Sequence, residues 1–299
     1  MSQSLETTVD RVRAGEPVTA ADEAVLVDTR DILTLGMLAD EIRRRRHGAD
    51  TTFVRVAAVT LPLSGGHVPG IPATAREIRI SGSLADLESA LADVARVADA
   101  AAGRPVSAFA LEDVEAGLAG LSLPALLNAL GSAGVTAIGS AAIDRLTDPS
   151  ASLAAVHAAG LGLARLTVHH TASVEDRLRH IRRARDVQRS LGWLTSFAPL
   201  GQSWAPGSPS TGYDDVRQVA LARLLLDNIA TIQVDWATHG PKLAQVALTV
   251  GADDLDMVSI LDEAGDGRRR GPIEEVRRNI TAAGLVPVER DGAWKRVTS

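Results

Sequence analysis

Residues 231–256 read TIQVDWATHGPKLAQVALTVGADDLD. Thr231 to Trp236 is short, β-branched and mostly apolar, which predicts a buried strand delivering Asp235 and Trp236 at its carboxyl end. Thr238-His239-Gly240-Pro241 should break that strand and open a helix from Pro241 to Val250, with Leu243, Val246, Ala247 and Val250 on one face. Gly251 stops the helix, Asp253-Asp254 reads as a turn, and Leu255 to Ile260 reads as the next strand. A strand, a crossover helix and a second strand in this order make a parallel βαβ unit.

Working outward, the same alternation recurs. Leu5–Ala14, Thr19–Asp28 and Asp31–Arg46 read as helices ahead of any strand. Strands follow at Thr52–Leu61, Arg76–Ser81, Val106–Ala110, Thr136–Gly139, Leu163–His170 and Trp193–Leu200, each followed by a loop or a helical pattern. With Thr231 and Leu255 the count reaches eight. Eight strands alternating with helices predict an α/β chain folded as a (β/α)8 barrel, with residues 1–50 as an amino-terminal helical cap and 51–299 as the barrel and its carboxyl extension. A doubly wound open sheet is the alternative, because periodicity does not report closure.

Composition narrows the chemistry. The 299 residues are 45% hydrophobic, with a formal net charge of −6, so nothing global steers the chain toward nucleic acid, and the basic runs Arg43–Arg46 and Arg268–Arg270 read as solvated ends and loops. No apolar run reaches membrane-spanning length and the first residues lack a signal-peptide pattern, so a cytoplasmic protein is expected. Cysteine is absent, which excludes disulfides, thiolate metal sites and a cysteine-held iron–sulfur cluster.

Four stretches carry a resemblance: Ala222 to Ile229 (ARLLLDNI), Ile232 to Pro241, Ala244-Gln245, and Gly251-Ala252-Asp253-Asp254-Leu255. Together they resemble the radical SAM enzymes of the futalosine route to menaquinone, aminofutalosine synthase and cyclic dehypoxanthinyl futalosine synthase, with the coenzyme F420 chromophore synthases as more distant kin. Asp31–His47, Val187–Leu200 and the tail Ile280–Arg290 are similar to other parts of that family, so the likeness covers nearly the whole chain.

The departures carry as much information. The family pattern places C-x3-C-x2-C after the first strand, where its thiolates hold a [4Fe–4S] cluster that binds S-adenosylmethionine; here Pro62–Pro72 offers only His67. The family's Gly-Gly-His-His segment is reduced to Ser81-Gly82-Ser83, its acidic motif after strand four is represented by Asp144, and its Gly-His-x-Glu segment reads His169-His170-Thr171-Ala172. The resemblance therefore implies a barrel without a cluster and without S-adenosylmethionine chemistry.

Candidate site residues follow from their places at strand ends. His169 and His170 could act as a base, while His170, Asp235 and His239 form the donor set of a Zn²⁺ or Fe²⁺ site; hydrogen bonding to backbone is the competing reading. Trp236 offers a stacking face or packs, and Glu112 with Asp113 is either an acid–base pair or a helix cap. Asp262 and Glu263 match an acidic pair of the family. Two functions result: a cluster-free pseudoenzyme binding a nucleoside-like, futalosine-like or aromatic ligand, or a partner enzyme, in menaquinone metabolism; or an enzyme using acid–base or metal-assisted chemistry at His169, His170, Asp235 and His239.

Overall fold

The structure is a computed structural model, and it describes residues 4–117, 120–170, 173–203, 212–261 and 272–297. The chain runs α1 (Leu5–Arg13), α2 (Ala20–Asp28), α3 (Ile32–His47), β1 (Asp50–Leu61), β2 (Glu77–Gly82), α4 (Leu87–Ala100), β3 (Val106–Ala110), α5 (Leu111–Ala116), α6 (Leu123–Ser132), β4 (Ala137–Ala142) and α7 (Pro149–Ala158). It continues with β5 (Gly162–Leu163), β6 (Leu166–His170), α8 (Val174–Leu191), β7 (Ser196–Ser203), α9 (Gly212–Leu225), β8 (Thr231–Asp235), α10 (Trp236–Leu248), β9 (Asp254–Val258), α11 (Pro272–Ala282) and β10 (Val286–Glu289). Strand pairing runs β1-β2-β3-β4-β6-β7-β8-β9 and returns from β9 to β1, so the sheet closes into a (β/α)8 barrel and the open-sheet alternative falls. The two-residue β5 pairs β4, and β10 lies beside β1.

Two compact units share the chain: residues 1–52, 168–255 and 276–287 form one, and 53–167, 256–275 and 288–299 the other. In the first unit the amino-terminal helices are tied in by charge. Glu23 of α2 accepts from Arg182 Nε at 2.5 Å and Arg185 Nη1 at 3.0 Å on α8, while Arg46 of α3 donates to the carbonyls of Leu226, Asp227 and Ile229 past the end of α9. Cations suit a helix carboxyl end, where carbonyls lack helical partners. Below β8 the fully buried Arg223 pairs with Asp253 and donates to Gly251 O (2.8 Å) and Ala230 O (2.7 Å). Asp253 also accepts from Ile232 N at 2.8 Å, and burial pushes its carboxyl up, outweighing Arg223 and His47. Asp253-Asp254 is thus a buried anchor entering β9, where a turn was expected.

In the second unit alternation along β2 decides the layers. Ile78 and Ile80 share one face of the strand and are buried, each contributing about 1.5–3 kcal/mol, while Glu77 and Arg79 alternate to the opposite face. The ends of β1 and β2 approach so closely that a Cβ on Gly82 (φ 121°) would meet the Leu61 carbonyl at 2.3 Å, so only glycine fits. The loop after β1 is held by α4: Leu63 N donates to Asp93 Oδ2 at 2.8 Å, and Arg96, paired with Asp93, donates to Gly66 O at 2.8 Å.

Three expectations need correction. The fifth strand is split into β5 and β6, Trp236 opens α10 where it was expected to end β8, and Pro241 lies inside that helix, with Gly240 (φ 74°, ψ 169°) forming the kink. The carboxyl tail adds a strand, β10, whose Glu289 takes Arg55 Nε at 2.7 Å and Arg76 Nε at 3.0 Å.

Candidate functional site

A cavity of about 170 Å³ opens in the second unit among β2, β3 and β4, lined by residues that include Arg79, Phe109, Asp113, Gly139 and Arg165. Its lining reaches Gly82 and Ala110, the last residues of β2 and β3, the face at which parallel barrels bind their ligands.

Behind it lies a charge network. Arg79 Nη1 and Nη2 grip the two oxygens of Asp256 at 2.7 and 3.1 Å, and Nε and Nη2 donate to Glu77 Oε1 at 2.9 and 2.7 Å. Ser107 donates to the same Glu77 oxygen at 2.5 Å, and Arg165 Nη1 lies 3.3 Å from Asp256 Oδ2. Burial opposes the charge of Asp256, but Arg79 first and Arg165 next outweigh it and hold the carboxyl well below the usual carboxylate range. Burial likewise works against the Arg79 cation, and Asp256 and Glu77 overcome it, keeping the guanidinium charged. The side chains of Glu77 and Asp256 are 1% and 0% exposed, whereas those of Arg79 and Arg165 keep 12% and 10% and line the cavity. The cations face the space; the carboxylates stand behind them.

The backbone here is strained. Phe109, in the cavity wall, has φ 56°, and Met257, next to Asp256, has φ 55°. Non-glycine residues in this region cost on the order of 1–3 kcal/mol and gather at functional sites.

The strand-end candidates are placed differently. His169 and His170 end β6, both half-buried. Asp235 is buried and caps α10, accepting from Thr238 N at 2.8 Å; Trp236 and His239 lie half-buried in the first turns of that helix. Among the described residues no three His, Asp or Glu side chains group as a metal site would require, so His170, Asp235 and His239 are not brought together as a ligand set. Glu112 accepts from Ala142 N at 3.2 Å, tying α5 to β4, Asp113 stands exposed at the cavity rim, and Asp144 sits half-buried in the turn after β4. Asp262 and Glu263 lie outside the described residues.

A [4Fe–4S] cluster does not fit the loop after β1. Its one candidate donor is the exposed His67, and the loop's own amide and carbonyl are spent on Asp93 and Arg96.

Residues 207–298 match the CofH/MqnC C-terminal region. The resemblance read from the sequence therefore holds over the carboxyl-terminal part of the chain. The chain is 37% identical over 142 residues to aminodeoxyfutalosine synthase of Thermus thermophilus, covering 43% of this chain and 38% of that protein. It is 31% identical over 167 residues to 5-amino-6-(D-ribitylamino)uracil--L-tyrosine 4-hydroxyphenyl transferase 2 of Methanosarcina mazei, covering 50% and 43%. The matches thus span about two fifths of these relatives' length. Methylornithine synthase (PylB) shares the fold, with a TM-score of 0.64 over 94% of this chain and 97% of that one at 13% identity. No described helix is long and apolar enough to cross a membrane.

Charges at period two inside apolar strands, Glu77 and Arg79 in REIRIS and Asp254 and Asp256 in DDLDMV, were the available signal for the network.

Proposed function

We propose that this CofH/MqnC-related chain is a cluster-free, non-radical binding protein whose barrel takes a small nucleoside-like or aromatic ligand of menaquinone metabolism at the ends of β2–β4. The observation that carries this reading is the cavity itself, walled by the strained Phe109 and lined by Arg79 and Arg165. The absence of cysteine and the clamped loop after β1 support its non-radical character. Menaquinone metabolism enters from the resemblance to the futalosine-route synthases.

Two measurements on one preparation test it. Anaerobic reconstitution with iron and sulfide should give no visible charge-transfer absorption and no cleavage of S-adenosylmethionine, and native mass spectrometry of the gently purified chain should show a small-molecule adduct. Stoichiometric cluster with cleavage would overturn the proposal.

A further inference from the structure

Resting on that reading, we propose that the cavity among β2, β3 and β4 selects a carboxylate, which docks on Arg165 with the second Nη1 hydrogen of Arg79 beside it. The wall supplies the argument. Both arginines line the cavity and keep a little exposed side-chain surface, while their internal partners Asp256 and Glu77 are fully buried and not part of the lining. Asp256 is shared, with two contacts to Arg79 at 2.7 and 3.1 Å and a longer one to Arg165 at 3.3 Å. Planar guanidinium forks match planar carboxylates; those of Arg79 are filled by Asp256 and Glu77, so a ligand carboxylate relies on Arg165.

Among the described residues the acidic group in the lining is Asp113, on α5, which is exposed, so water and salt screen it, whereas the arginines act from a drier wall. Phe109 supplies apolar surface in the same lining. The ligand this wall complements is a small organic acid with an apolar body, and its uncharged amide analogue should bind more weakly because it offers a guanidinium one acceptor oxygen and no charge where a carboxylate offers two oxygens and a charge. The internal ion pairs hold both guanidiniums in place before the ligand arrives, so little side-chain entropy is lost on binding.

Benzoate and benzamide differ in charge and hardly in shape. Ligand-observed NMR on the intact chain should show benzoate binding, benzamide absent or far weaker, and Arg165→Gln weakening benzoate about tenfold or more, as for loss of one charge-assisted hydrogen bond. Should Arg165→Gln fail to fold by circular dichroism, Arg165→Lys serves, with a smaller loss because it keeps the charge and gives up the fork. Benzamide binding as tightly as benzoate, indifferent to Arg165, would overturn the carboxylate assignment and leave ligand binding by the barrel standing. Inorganic phosphate displacing benzoate at lower concentration would overturn it too. Binding of neither aromatic probe would overturn this inference, and an adduct still seen in native mass spectrometry would then keep the broader reading alive.

Discussion

Asp256 shows how much of the site hangs on one carboxyl. Two guanidiniums converge on it inside the barrel wall, so Asp256→Asn leaves Arg79 and Arg165 with their charges and without the shared counter-ion. Removing one partner of a buried ionic cluster costs far more than the intact cluster contributes, and we expect a loss of about 3–5 kcal/mol in urea unfolding. In a double-mutant cycle Asp256→Asn with Arg165→Met should lose less than the sum of the single changes, because the second change removes a stranded cation. Strict additivity would mean that the 3.3 Å contact between Arg165 and Asp256 is energetically idle.

The loop after β1 and the helix α4 act as one element. Asp93 is buried and takes the Leu63 amide, while Arg96, about half exposed, bridges Asp93 and the Gly66 carbonyl. Arg96→Ala should therefore cost little globally, within about 1 kcal/mol, yet speed amide exchange at Gly66 and His67 and open residues 62–72 to protease. Unchanged exchange there would show that Asp93 alone holds the loop. Elements of this kind were only partly legible beforehand. β3 was read at its observed bounds, because Val106 to Ala110 is a short, mostly apolar run and Gly103 to Pro105 breaks the chain just ahead of it. Trp236 was misplaced because Asp235 can end a strand and cap a helix at once, and the cap won, satisfying the Thr238 amide. β10 was missed because a four-residue strand takes its stability from Glu289 meeting Arg55 and Arg76, more than two hundred residues away in sequence. Arg165 was likewise unreadable as a site residue: nothing local says that it reaches Asp256.

Across the whole molecule, acid should be the weak point. The carboxyl of Asp256 is held below its ordinary value in the fold, as are those of Asp22, Glu23, Asp31 and Asp176. A depressed folded value means that the unfolded chain binds protons first. The stabilisation is therefore complete above about pH 4 and is lost as pH falls below it. Urea midpoints should stay level from about pH 8 to 5 as far as these groups are concerned and drop below about pH 4, with a shallower drop for Asp256→Asn. An equal slope in the variant would remove Asp256 from the acid response. The clamp on the loop after β1 also limits what can be engineered there. A side chain placed at Gly66 would meet Arg96 Nη1 at 2.8 Å, and the backbone groups of Leu63 and Gly66 are already engaged. A cysteine introduced at Gly66 would therefore displace Arg96 and free the Gly66 carbonyl, so any thiolate built into this loop calls for a second change at Arg96.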